Sequence, residues 1–280
     1  MYSPIAPTPL VAGDLASGWL TREEPDAHTA IRTDFRDASN GIVGVLGGMG
    51  PLATIDFMSK MLRATNASAD QEHVPVIVSS IPQVPDRTKA FRGEGESPLA
   101  AMLDGARRLK AAGACLLVVA CNTAHLWFDE IEQAIGLPMI HLVDAAIADA
   151  VVLAGPQGKI GLLGTDATLA SGLYVNRAST ATPERVHWLL PTAGEMMDLV
   201  MPGIDAVKAG DLARGRRLLG EAARSLQSRG AAAVILGCTE IPVVLDNADS
   251  PVPLVDATAA LARRAVAWSV SRRAPASSDA

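Results

Sequence analysis

The chain repeats itself at a spacing of 117 residues, and that repeat limits the folds open to it. Adding 117 to Gly41-Ile42-Val43-Gly44-Val45-Leu46-Gly47-Gly48 gives Gly158-Lys159-Ile160-Gly161-Leu162-Leu163-Gly164-Thr165. The same step carries Gly113 to Gly230 and Cys121 to Cys238. Each copy opens on an aliphatic run and leads to a second run that closes in a cysteine, Val118-Val119-Ala120-Cys121 in one and Val234-Ile235-Leu236-Gly237-Cys238 in the other. Continuous aliphatic runs are the signature of strands buried on both faces. One register held over the whole span points to a true repeat of structure rather than to scattered apolar matches.

Helical stretches separate these strands. Leu52 to Leu62 and Pro98 to Ala112 carry apolar residues at helical spacing, and so does the segment from Pro191 through Met196, Ile204 and Val207 to Lys208. Gln71 to Ser80 and Leu137 to Asp144 read as further strands. Alternating strands and helices predict an α/β fold with two similar Rossmann-like halves, each a mostly parallel sheet. If a pseudo-twofold relates the halves, equivalent strand tips face one cleft, and the active site lies there. The expected division is an arm over 1–40, a first half over 41–145, a second half over 146–268 and a tail over 269–280. The last helix ends near Arg272 and packs back onto the first half.

The arm holds Pro4, Pro7, Pro9 and the mixed run Arg22-Glu23-Glu24-Pro25-Asp26, with neither a core-forming period nor the apolar segment of a signal peptide. With 49% hydrophobic and 19% charged residues, the rest can bury a large core. A net charge of -6 and no basic stripe argue against nucleic-acid and anionic-membrane partners, and favour a small molecule. Three cysteines on apolar runs do not form the framework of a secreted disulfide protein, so the cytoplasm is the expected compartment.

Several residues are candidates for chemistry. Gly47-Gly48-Met49-Gly50-Pro51 follows the first strand and is open to two readings, a tight structural turn or a cradle for a carboxylate at a helix start. Arg87 follows a stiff loop with Pro82 and Pro85, and is either solvated, paired with Asp86, or aimed at a substrate carboxylate. Lys208 precedes Ala209-Gly210 and either answers a helix dipole or faces an anion. His125 either orients a thiol or serves structure, His141 is expected in strand packing, and Cys115 in the core.

Two thiols at equivalent tips narrow the chemistry. Neither has the second cysteine or spaced histidines of a metal site, and there is no Cys-x-x-Cys redox pair, so no metal or cofactor is expected. A single nucleophile leaves the duplication unexplained. Proton transfer at both faces of one carbon uses both: one thiolate removes the Cα proton and the opposite thiol delivers another, inverting the centre. Asn122, Thr123 and Thr239 follow the thiols directly, where donors would meet charge developing on a carboxylate.

These motifs resemble those of the aspartate/glutamate racemase family, over roughly Gly41 to Trp268. The likeness is nearest to its aspartate racemases, through Gly47-Gly48-Met49-Gly50-Pro51, Pro85-Asp86-Arg87-Thr88, Cys121-Asn122-Thr123-Ala124-His125 and Gly237-Cys238-Thr239-Glu240. The resemblance implies a cofactor-independent amino-acid racemase, often a homodimer, that interconverts L- and D-aspartate. Cys121 and Cys238 would be its acid/base pair, and Arg87 and Lys208 would bind carboxylates. Met49, Asn122, Thr123, Ala124, Thr239 and Glu240 would complete the substrate contacts. Glutamate racemases typically carry Asp-Ser-Gly in the first loop and Gly-Cys-Thr-His at the second cysteine, so glutamate is less favoured here. A malonate decarboxylase, a maleate isomerase or a non-catalytic binder of an acidic metabolite are the alternatives.

Overall fold

The computed structural model describes residues 41–181, 186–248 and 250–272, so the arm over 1–40 lies outside the described residues. In the first half, β1 (Val43–Gly47) is followed by α1 (Pro51–Ala64), β2 (Val76–Ser80), α2 (Arg87–Phe91), α3 (Leu99–Ala111), β3 (Leu116–Val119) and α4 (Phe128–Ile135). Helix α5 (Leu142–Ala154) leads to the second half, with β4 (Lys159–Gly164), α6 (Asp166–Ala170), α7 (Leu173–Ala181) and β5 (His187–Leu189). A π-helical turn, Met196–Val200, enters α8 (Met201–Lys208), followed by α9 (Leu212–Ser228), β6 (Ala231–Gly237), α10 (Ile241–Val244), β7 (Leu254–Asp256) and α11 (Ala257–Arg272).

Both sheets are parallel, in the orders β2-β1-β3 and β5-β4-β6-β7. The central strands of the two sheets are the repeated ones, ending at Gly47 and Gly164. Every loop at the carboxyl ends of β1, β3, β4 and β6 opens to the same side of its sheet, where ligands bind in α/β folds.

Alternation along the strands divides the core. Val43 and Val45 of β1 and Leu116 and Val118 of β3 share one buried cluster with Ile160 and Leu162 of β4, Leu142 and Ala146 of α5, and Leu261 and Ala265 of α11. Leu46, Leu117 and Val119 point the other way, onto α3 and α4. The two halves therefore meet through a common core, and each buries a further cluster of its own, around Leu46 and Leu117 in the first and around Leu163 and Leu236 in the second. Each fully buried aliphatic in the common core contributes roughly 1.5–3 kcal/mol.

Two local expectations are corrected. Leu137 to Asp144 is not a strand: only Met139 bridges to Leu117, and helix starts at Leu142 because His141 Nδ1 accepts from the Val143 N–H and caps it. Helix α5 then runs on to Ala154 and lies against β6. The Pro191–Lys208 helix is interrupted by the π turn, just before Pro202, which has no N–H for a regular helical bond. The last helix ends at Arg272, where the sequence places it, and is held by the Ser269 hydroxyl donating to Gly41 O at 2.6 Å.

A buried cation joins α1 to the second sheet. Lys60, 9% exposed, reaches Asp256 at 2.7 Å and the Thr258 hydroxyl at 2.8 Å, and also binds Asp56 one turn back on its own helix. Lys60→Met would leave two carboxylates facing each other without a counter-charge. Because both are partly exposed, the expected loss lies toward the lower end of the about 3–5 kcal/mol typical of a broken buried pair. Denaturant unfolding reads it, and an unchanged midpoint would refute it. No helix among the described residues is long and apolar enough to cross a membrane.

Candidate active site

The tips of β1, β3, β4 and β6 enclose a small cavity of about 20 Å³. Met49, Asp86, Arg87, Cys121, Asn122, Thr123, Thr165, Lys208, Cys238, Thr239 and Glu240 are among its lining residues. Both cysteines, one from each copy of the repeat, are therefore on one wall system. They are buried, at 6% and 5% exposure, and neither is in a disulfide. Such a volume admits about one water. A neighbouring cavity of about 500 Å³ shares Asp86, Arg87, Lys208 and Glu240 with it and opens beside Gly48, Gly50 and Pro51. The two cavities are therefore adjacent across these four side chains.

Backbone geometry sets the first wall. Gly48 has φ +84, and a Cβ there would lie 2.5 Å from the Ile81 backbone, so only glycine fits. Its N–H is not open to a ligand, because it donates to the Thr54 hydroxyl at 2.8 Å. That favours the tight-turn reading of the glycine loop for this donor. Arg87 begins α2, which Asp86 caps by accepting from the Lys89 N–H. Its guanidinium donates to the Val84 and Pro85 carbonyls at 3.2 and 3.0 Å, forms no ion pair with Asp86, and leaves a buried Nε unpartnered. Just past the end of α2, Arg92 pairs with Asp166 of α6 and so ties the arginine-bearing segment to the other half.

The opposite wall carries the second cation. Helix α8 approaches α9 closely because Gly203 and Gly215 have no side chain to hold them apart, a Cβ at Gly215 falling 2.5 Å from Val207. That seats Lys208 at the cleft. Burial alone would lower its pKa, but the charge of Cys238 whenever that thiol is ionised and the charges of Glu240, Asp205 and Asp86 outweigh it and raise it, so it is a cation. Burial likewise opposes ionisation of Asp86, but the Lys89 N–H and the charges of Arg87 and Lys208 hold its carboxyl below the usual range.

The two thiols differ in their company. Cys238 Sγ donates to Glu240 Oε2 at 2.9 Å, and the Thr239 hydroxyl donates to the same oxygen at 3.2 Å. Burial and the Glu240 charge push the Cys238 thiol well up, against the pull of Lys208, so it is held protonated. No carboxylate bonds the Cys121 sulfur among the described residues. His125 does not orient that thiol. Its Nδ1 donates to Cys121 O at 2.8 Å while Nε2 accepts from the Leu142 N–H, which needs the neutral ring. Burial lowers its pKa to about 4 and keeps it neutral. His141, the helix cap, is lowered to about 2 by burial and then by His125.

Of the donors expected around a ligand, one is unoccupied. Thr123 shares its hydroxyl with Thr165 and Thr168 at 3.1 and 3.0 Å, and Thr239 is taken by Glu240. Asn122, 2% exposed, accepts at Oδ1 from the Tyr174 hydroxyl at 2.6 Å and has no partner for Nδ2. Ala124 is fully buried and does not line the cavity. Thr165, read from sequence only as a helix cap, is both cap and cavity wall. The repeat offered a sign of this, since it occupies the position equivalent to Gly48 in the first loop. Cys115 is partly exposed, and its Sγ lies 3.4 Å from Gly113 O.

A family profile described as Asp/Glu/Hydantoin racemase matches residues 46–265. The chain belongs to this family. Among curated relatives it is 29% identical over 232 residues to the broad specificity amino-acid racemase RacX of Bacillus subtilis, covering 80% of this chain and 96% of that one. Among solved structures, the aspartate racemase of Picrophilus torridus superposes with a TM-score of 0.73 at 31% identity, over 82% of this chain and 94% of that one. An aspartate racemase homologue from Pyrococcus horikoshii shares the fold, with a TM-score of 0.65 at 24% identity, over 82% and 99% of the two chains. The α/β class and the racemase family expected from the sequence are thus the ones found, and the family is one of isomerases.

Proposed function

We propose that this racemase interconverts the enantiomers of an acidic amino acid, aspartate first, by proton transfer between Cα and two cysteines. The observation that carries the reading is the pairing of Cys121 and Cys238 on one cavity whose mouth holds two cations, Arg87 and Lys208. Two cations suit two carboxylates, and Glu240 offers an anion to an ammonium group. With Cys238 held as a thiol, the Cys121 thiolate takes the Cα proton of one enantiomer, and Cys238 gives its proton to the other face. The sulfurs end with their roles exchanged, so the reverse reaction runs from the state the forward one leaves. Charge accumulating on the α-carboxylate meets the unpartnered Nδ2 of Asn122 in a chamber nearly free of water. The likeness to an aspartate racemase supports the substrate, while the likeness to a broad-specificity racemase is the reason to test others.

The test is incubation of single enantiomers in deuterated water. L- and D-aspartate should lose optical activity as deuterium enters Cα of the product, faster than glutamate or neutral amino acids. Arg87→Ala and Lys208→Ala should each raise KM for aspartate by about 10–100-fold, the loss of about 1.5–3 kcal/mol of charge-assisted bonding. Racemisation without deuterium at Cα would defeat the mechanism. Turnover of a diacid lacking an amino group, with none of aspartate, would assign the cleft to a different carbanion reaction.

A further inference from the structure

Tyr174 stands outside every motif of the sequence, and its contacts join the two thiol-bearing tips. It is 1% exposed on α7, in the second half. Its hydroxyl donates to Oδ1 of Asn122, the residue after Cys121 in the first half, at 2.6 Å. Its ring lies against Gly237, the residue before Cys238: a Cβ added there would sit 3.4 Å from Cε2. Trp188 packs edge-on to the same ring, with centroids 6.2 Å apart. One side chain thus spans from one tip to the other, wedged in place by an indole.

The direction of the hydrogen bond decides what Asn122 shows the cavity. Burial first, then the charge of Cys238 whenever that thiol is ionised and the charge of Asp256, keep the phenol protonated. A buried O–H must donate, and Oδ1 is the acceptor it reaches. With the carbonyl side of the amide so engaged, both Nδ2 hydrogens are left on the other side, where Nδ2 is buried without a partner on a residue that lines the cavity with both cysteines. An amide free to turn over could present its carbonyl to the ligand, and a carbonyl oxygen repels a carboxylate.

We propose that Tyr174 is a positioning residue of the racemase: its hydroxyl locks the Asn122 amide with Nδ2 toward the substrate's α-carboxylate, and its ring keeps the two thiol tips in register. The inference rests on the racemase reading and adds a residue that touches no substrate. A donor aimed at developing charge acts mainly in the transition state, so the effect belongs in kcat.

The experiment is a double-mutant cycle on the full chain with Tyr174→Phe and Asn122→Ala, reading kcat and KM in both directions and the unfolding midpoint. Asn122→Ala should lower kcat by about 10²–10³-fold, as loss of such a donor does. Tyr174→Phe should lower kcat by about tenfold with KM within twofold, and should have no further effect in the Asn122→Ala background. Equal losses in both backgrounds, or wild-type kcat in Tyr174→Phe, would overturn the proposal. A variant that does not fold is bypassed by labelling with 3-fluorotyrosine, because the chain has two tyrosines, Tyr2 and Tyr174. The Tyr174 fluorine resonance should move when succinate binds and stay fixed in Asn122→Ala, and an unmoved resonance in the unsubstituted chain overturns the assignment. If the unsubstituted chain exchanges Cα protons of no amino acid, the racemase reading fails. If it does so and the cycle is additive, the Tyr174 proposal alone fails.

Discussion

Cys238→Ala should lose racemisation by at least about 10³-fold yet continue to wash deuterium out of Cα of one enantiomer, and Cys121→Ala should do the same to the other enantiomer. The expectation rests on the two faces of a tetrahedral carbon. A thiolate reaches only the hydrogen pointing at it, so removing the opposite thiol blocks delivery to the far face but not removal and return on the near one. Positioned acid–base groups contribute about 10²–10⁴-fold, and each variant forfeits one of the two. Both side chains are small and buried, so the alanine variants keep their backbone supports: the Cys121 carbonyl still accepts from His125, and β6 still pairs along its length with β4. The Cα signal of Cα-deuterated L- and D-aspartate followed by proton NMR in ordinary water reads the exchange, and polarimetry reads inversion. Two variants that both exchange the same enantiomer would put both sulfurs on one side of the substrate and end the two-base scheme. So would a variant that racemises at the unsubstituted rate.

The repeat makes much of this site legible in the amino-acid sequence. A register that sets Gly47 and Gly164 as strand ends also sets the residues beyond β3 and β6, so Cys121 and Cys238 are readable as equivalent tips. Local pattern does not encode contact across the seam. The Thr123 hydroxyl meets Thr165 and Thr168, and Tyr174 meets Asn122, over sequence separations of 42, 45 and 52 residues. Neither Thr168 nor the tyrosine is marked by its neighbours. Leu137 to Asp144 misleads for another reason: an apolar run of this length has no period that separates strand from helix start, and a single histidine cap decides it. The seam itself is hidden, since apolar alternation says which residues are buried but not that β1 and β4 bury theirs in one cluster. Glu240 is visible as a site residue, but its bond to the thiol two positions earlier depends on the sharp turn after β6.

That bond has a measurable consequence. Glu240→Gln should move the pH limbs that belong to Cys238 toward lower pH, in addition to raising KM for aspartate through the loss of its charge beside the ammonium group. A two-thiol racemase needs one sulfur ionised and one protonated. Its rate in either direction falls at low pH as the base gains a proton, and at high pH as the acid loses one. Burial first, and then the negative charge of Glu240, raise the Cys238 pKa, while the Lys208 charge lowers it. Glutamine still accepts a hydrogen bond but removes the repulsion between carboxylate and thiolate, so the Cys238 pKa must fall. In the direction where Cys238 is the acid, the thiol is then lost sooner as pH rises, and the alkaline limb shifts down. In the opposite direction Cys238 is the base, its thiolate persists further as pH falls, and the acid limb shifts down. Beyond each limb, every unit of displacement changes the rate by about tenfold, the equivalent of 1.36 kcal/mol. Profiles of kcat/KM measured from L- and from D-aspartate separate the two limbs, because each enantiomer enters against a different sulfur. Unmoved limbs with a large rise in KM would instead make Glu240 a contact for the substrate ammonium alone, with no part in setting which thiol holds the proton.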